Sequence, residues 1–124
     1  MSVGFDAADL DALRAEEEVE IETSPGEDGP THRTIIWVVV DDRGRVLIRS
    51  YRGAGARWFR EITARPESLL HLRAQVVAVR AVAATDADRV VAYSEELGRK
   101  YAGQHAVRSM VTKYLETTLE LLPR

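Results

Sequence analysis

The 124-residue chain has no cysteine, which excludes disulfides, thiolate metal sites and a cysteine nucleophile. Its three histidines, His32, His71 and His105, are far apart, and none has a neighbour at metal-ligand spacing, so a metal-dependent hydrolase lacks its ligands and no metal is expected. No apolar run nears the ~20 residues that span a bilayer. The acidic start MSVGFDAADLDAL carries no basic region ahead of an apolar one, so no signal peptide is expected. The expected compartment is the cytoplasm, with no membrane contact. A formal net charge of −3 removes bulk attraction to nucleic acid. Ser50 and Ser109 lack any nucleophile-elbow context. GAGA at 53–56 is not a P-loop, because no Gly-Lys-Ser/Thr follows, and not a dinucleotide fingerprint, because no βαβ unit surrounds it. No pattern identifies a catalytic acid or base. Internal repeats, linkers and low-complexity segments are also missing, so residues 1–124 form one domain.

What is present is a normal apolar fraction of 45%, enough for a core, and an uneven distribution of charge. Residues 1–28 hold ten acids against Arg14, a local balance of −9. Residues 43–73 hold eight arginines against Glu61 and Glu67, a local balance of +6. Such crowding disfavours a compact state unless it is compensated. Either the acidic start docks near the basic centre, or both are solvated, or the arginines serve a ligand.

The pattern of residues predicts an N-terminal helix within 1–17. Asp6 is suited to cap it, Asp9 holds the capping-box position, and Phe5 and Leu10 have hydrophobic-staple spacing. EVEIET (18–23) alternates as a half-buried strand. SPGEDGPTH (24–32) is turn chemistry. RTIIWVVV (33–40) is almost continuously apolar and β-branched, which predicts one central strand covered on both faces. DDRG (41–44) is a hairpin loop with Gly44 suited to the left-handed conformation, and RVLIRSY (45–51) is the return strand. A short helix is expected over 55–64, with Trp58 and Ile62 on one face and an Arg57–Glu61 pair on the next. Pro66 stops it. Strands follow at 69–73 and 75–84. A helix at 86–102 starts from a Thr85–Asp88 capping box, a further helix covers about 105–115, and a last strand covers 117–122. Residues 18–84 thus carry strands and the short helix, and residues 85–124 two helices and the final strand.

This order argues for a mainly β fold, a six-stranded antiparallel split β-barrel with helices, the short helix plugging or flanking its opening. Ile36, Val38, Val46, Ile48, Val77, Val79, Leu119 and Leu121 are expected in its core. Alternation in 45–51 puts Leu47, Arg49 and Tyr51 on one face, and Arg52-Gly53 and a helix start follow. Guanidinium groups beside a glycine-permitted backbone and a helix N-terminus suit a phosphate, with Tyr51 and Trp58 as stacking surface. Arg49, Arg52 and Arg57 are the residues expected around it. Arg80, inside an apolar strand, is expected on the outer face.

The run EIET, HRTIIWVVVDDRGRVLIRSYRGAGARWFREITARP, VVAVRAV and TLELLP resembles the split β-barrel superfamily of FMN- and deazaflavin-binding proteins, the pyridoxamine phosphate oxidase-like fold. Within it, the chain is most similar to a family of short bacterial proteins of unknown function. The resemblance covers residues 18–122 and implies a homodimer holding its cofactor in a groove between two barrels. It implies phosphate contacts at Arg33, Thr34, Arg49, Ser50, Arg52 and Gly53, with Arg57 and Trp58 on the short helix. The deazaflavin-dependent relatives carry Gly-Gly and then Pro-x-Trp-x-x-Asn. Here Arg52-Gly53 stands for the pair, Arg57 precedes Trp58, and Glu61 holds the asparagine position. An FMN- or deazaflavin-dependent oxidoreductase is therefore one expectation. A non-catalytic binding or interaction module that kept the fold without the cofactor is the other.

Overall fold

The computed structural model describes residues 5–124; the first four residues of the expected N-terminal segment lie outside it. Helix α1 (Ala7–Ala15) starts where Asp6 accepts a hydrogen bond from the Asp9 N–H at 2.8 Å. Phe5 and Leu10 each pack against the core. Strands β1 (Val19–Thr23), β2 (His32–Ile36), β3 (Val39–Val40) and β4 (Val46–Ile48) follow. Helix α2 (Arg57–Ala64), strands β5 (Glu67–His71) and β6 (Val76–Ala83), helices α3 (Ala87–Lys100) and α4 (Val107–Thr112), and strand β7 (Leu119–Pro123) complete the chain.

All pairings are antiparallel, in the order β2-β1-β5-β6-β7-β4-β3. The two edge strands, β2 and β3, are halves of one apolar run interrupted at Trp37 and Val38. The sheet therefore curls back on itself and closes through a single bend. The run 33–40 is thus two edge strands rather than one central strand, which makes seven strands instead of six. The bend is held by α3. The Tyr93 hydroxyl donates to the Trp37 carbonyl at 3.0 Å, and the Lys100 ammonium donates to the carbonyls of Val38 at 2.8 Å and Leu13 at 2.7 Å. Two carbonyls that leave the ladder thus find donors, as buried backbone groups must. Burial pulls the Lys100 ammonium down to about 8, against the raising influence of Glu16 and Glu17.

Two apolar layers result. Inside the curl lie Ile21, Ile36, Val38, Val46, Ile48, Leu70, Val79, Leu119 and Leu121, with Trp58 and Ile62 of α2 closing the mouth. Of the expected core residues, Val77 is only partly buried. Outside the curl, Val39 and Leu47 pack under Tyr93, Leu97 and Tyr101 of α3 and Met110 of α4. The period-2 alternation of β4 accounts for both layers at once. Gly44 takes the left-handed conformation (φ +77°) at the β3–β4 turn, where Asp41 Oδ1 accepts from the N–H groups of Arg43 and Arg45, each at 2.9 Å. Arg80 is exposed on β6 opposite Glu67.

Helix boundaries shift by one to three residues from the sequence expectation, and two of the shifts have a local cause. Helix α3 is capped by Asp86, which accepts from the Arg89 N–H, one residue after Thr85. Helix α4 ends at Thr112, because Lys113 turns to extended backbone (ψ 153°) and Tyr114 after it takes a left-handed conformation (φ 55°). That turn seats the Tyr114 ring against Gly53. A Cβ at Gly53, itself at φ +82°, would stand 2.7 Å from the ring.

Candidate functional site

The arginine-rich stretch after β4 is built by a local turn. The Ser50 hydroxyl donates to the Gly53 carbonyl at 2.7 Å, and the Ser50 N–H donates to Thr117 Oγ1 at 3.1 Å. Gly53 supplies the positive φ and opens the 3-10 turn Gly53–Gly55. Helix α2 then starts behind Ala56, which offers no side-chain cap, so its first N–H groups stay open to a ligand or solvent. Between this turn, β2 with its bend, and α4 lies a groove of about 1100 Å³.

Of the eight expected contact residues, Arg33, Thr34, Arg49, Arg52, Arg57 and Trp58 line the groove. Ser50 and Gly53 do not; both are buried in the turn and shape it. The six serve differently. Arg33 is committed in part, its Nη2 lying 2.7 Å from Glu20. Trp58 is 6% exposed and belongs to the inner core. Arg49 is 1% exposed, and its guanidinium is spent inside the protein. Nε donates to Thr118 Oγ1 at 2.8 Å, Nη1 to Ser94 Oγ at 3.0 Å and to the Met110 carbonyl at 2.7 Å, and Nη2 to the Val90 carbonyl at 3.0 Å. The Tyr93 ring centre lies 4.5 Å from its guanidinium carbon. None of these partners is an acid. Burial therefore lowers the Arg49 pKa, with Tyr93 and Glu116 opposing it. Arg49, expected around the phosphate, is thus buried instead: α3 and α4 cover the face on which Leu47 and Arg49 alternate.

Arg52 and Arg57 are exposed, and among the described residues neither has a carboxylate within ion-pair distance. Several acids of the N-terminal segment are engaged elsewhere. Glu20 meets Arg33, Glu22 lies 2.7 Å from His71 Nε2, and Glu16 accepts from the Arg73 N–H at 2.7 Å. Internal neutralisation thus does not account for Arg52 and Arg57.

The expected Arg57–Glu61 pair does not form. Glu61 is 7% exposed and takes long-range partners instead. The Thr23 hydroxyl donates to Oε1 at 2.7 Å, and His32 Nδ1 lies 3.2 and 3.1 Å from the two carboxylate oxygens. Nδ1 therefore carries a proton, since a carboxylate only accepts. Burial alone would push Glu61 up. The hydrogen bonds from Thr23 and His32, and the charges of His32 and Arg57, outweigh it and hold Glu61 below the ordinary glutamate value of 4.5. A carboxyl depressed in the folded state stabilises the fold above its unfolded pKa, and that contribution is lost as pH falls through the folded one. Urea unfolding of the wild type should therefore show a loss of stability below pH ~4.5 that is smaller in Glu61→Gln. Equal losses in both proteins would mean that this carboxylate does not hold β1, β2 and α2 together.

Two features of the site were not singled out by sequence reasoning. One is this Thr23–Glu61–His32 bridge. The other is Trp37, which lines the groove and whose indole stacks on Tyr101 with ring centres 4.3 Å apart and planes 7° from parallel. Among the described residues, no three His, Asp or Glu side chains gather as a metal site, and no helix is long and apolar enough to cross a membrane.

An antiparallel sheet curled through one bend, with a helix in its mouth and a groove along the bend, defines a split β-barrel protein. The fold is shared with the conserved hypothetical protein Rv2991 from Mycobacterium tuberculosis (TM-score 0.65, 15% identity, 98% of this chain and 81% of that one covered). It is shared with HutZ, the heme storage protein from Vibrio cholerae (TM-score 0.70, 11% identity, 95% and 89% covered). The F420-H2 dependent reductase FDR-A is a third similar structure (TM-score 0.62, 12% identity, 86% and 94% covered). At such identities the likeness is one of fold. Residues 9–121 match DUF2255, uncharacterized proteins conserved in bacteria, and the chain belongs to that family. No curated protein matches it.

Proposed function

We propose that the groove binds a phosphate-bearing, ring-containing cofactor, FMN or the deazaflavin coenzyme, in the service of an oxidoreductase. The observation that carries this reading is the pair of exposed guanidinium groups, Arg52 and Arg57, on the groove wall with no carboxylate at ion-pair distance among the described residues. They flank the uncapped start of α2, whose free N–H groups and dipole also favour an anion. The groove fits the rest of such a molecule, because Ile35, Trp37 and Tyr51 add apolar and aromatic wall. Arg52 and Arg57 would hold the phosphate, with Arg33 and Thr34 beside it. A bound flavin or deazaflavin supplies hydride chemistry; the chain's own residues bind and orient it. Similar folds in a heme storage protein and an F420-H2 dependent reductase support a cofactor of this size.

The assembly that suits this reading is a homodimer. Ile35 and Tyr51 are 55% and 54% exposed at the groove, and the outer edge of β2 is unpaired. Large apolar side chains beside a free strand edge favour cover by a second copy. The test is a fluorescence titration of the purified protein with FMN and with the deazaflavin coenzyme, with light scattering on the same samples. Saturable binding by a dimer is expected. A protein that binds neither coenzyme fails the cofactor reading, and a monomer throughout fails the shared groove. The rival, a non-catalytic interaction module, would leave Arg52 and Arg57 to meet an acidic protein surface.

A further inference from the structure

Trp37 is half-buried and lines the groove, yet it is held as firmly as a core residue. Its carbonyl accepts from the Tyr93 hydroxyl, and the next carbonyl, of Val38, accepts from the Lys100 ammonium. Its indole lies flat on Tyr101, whose hydroxyl donates to the Glu17 carbonyl and whose ring centre is 5.3 Å from the Lys100 nitrogen. Backbone and ring are thus fixed together, from one side, by α3. A rigid aromatic group at a groove offers contact area without an ordering cost on binding. Beside it stand Ile35 and Tyr51, each more than half exposed. Arg33, Ile35 and Trp37 all line the groove, a cation followed by two apolar groups.

The geometry points to Trp37 as the stacking platform of the groove, with a planar, fused heterocycle that carries a phosphate on a short arm as the ligand it selects. This rests on the cofactor reading above and adds to it the residue that recognises the ring. Tyr101 covers one face of the indole, and the ligand ring takes the groove side. An electron-poor heterocycle gains most there, since offset stacking on an electron-rich indole adds to the burial of apolar area. A bare phosphoanion gains nothing from Trp37.

The test uses the full chain and three probes: FMN, riboflavin and inorganic pyrophosphate. Trp37→Leu keeps apolar bulk and removes the ring; Trp37→Phe keeps a smaller ring and guards against misfolding. Leucine should weaken FMN and riboflavin about tenfold and leave pyrophosphate unchanged, with phenylalanine restoring most of the loss. Flavin emission, quenched on the wild type, should recover in part on Trp37→Phe. Wild-type binding of FMN with no loss in Trp37→Leu overturns the platform and leaves the cofactor reading standing. Equal weakening of FMN and pyrophosphate also overturns it, because Trp37 would then only position the groove. A wild type that binds no flavin, with or without pyrophosphate, removes the platform, and removes the cofactor reading with it when the deazaflavin coenzyme, titrated alongside, also fails to bind.

Discussion

Replacing Arg49 with alanine is expected to lower the stability of the fold by about 3 kcal/mol or more, and its melting temperature by about 10 °C. The side chain is 1% exposed and ties the end of β4 to three elements or their flanks: Thr118 beside β7, Val90 and Ser94 of α3, and Met110 of α4. Thr118 keeps another bond, to the Leu115 carbonyl, but the Met110 carbonyl sits in the last turn of α4 and loses its side-chain donor. An unpaired buried carbonyl costs about 1–3 kcal/mol, and the vacated stem leaves a cavity that adds to it. The contact with the Tyr93 ring is lost too. Part of this is offset, because the guanidinium is buried without a counter-charge and its desolvation is relieved. Arg49→Met separates the terms: it fills the cavity, removes the charge, and should lose roughly half as much. Urea unfolding of the three proteins reads both numbers. An alanine variant as stable as the wild type would mean that the guanidinium network is not what fastens α3 and α4 to the sheet.

Replacing Arg52 with alanine should have the opposite signature. Affinity for FMN is expected to fall by roughly ten- to a hundredfold, because a charge-assisted hydrogen bond contributes about 1.5–3 kcal/mol and ~1.4 kcal/mol is a factor of ten. Arg57→Ala should behave alike. Both side chains are exposed and free of acid partners among the described residues, so their removal should shift the melting temperature by no more than about 3 °C. Riboflavin, which lacks the phosphate, should bind the wild type and Arg52→Ala almost equally. If riboflavin weakens as much as FMN, Arg52 shapes the groove instead of holding the phosphate.

Element order was legible because it rests on local chemistry. The Asp6 cap, the Gly44 turn, the alternation of β4 and the Trp58–Ile62 face of α2 each involve residues within a few positions of one another. The bend at Trp37 was not legible, since the groups that satisfy its carbonyls, Tyr93 and Lys100, lie 56 and 62 residues away. An uninterrupted apolar run reads as one strand until those donors are known. Arg49 shows the same limit: alternation put it on the Leu47 face correctly, but the helices that bury that face are tertiary neighbours. Glu61 is the third case, its local partner Arg57 losing to Thr23 and His32 from two other strands.

The central claim is a division of labour within one stretch, in which Arg49 fastens the fold and Arg52 captures a phosphate. Melting temperature and FMN affinity, measured together on Arg49→Met and Arg52→Ala, test it most directly. The account predicts that Arg49→Met melts several degrees early and still binds FMN with about its usual affinity once folded, while Arg52→Ala melts as the wild type does and binds at least about tenfold more weakly. The reverse pattern, with Arg52 needed for folding and Arg49 for binding, would contradict it.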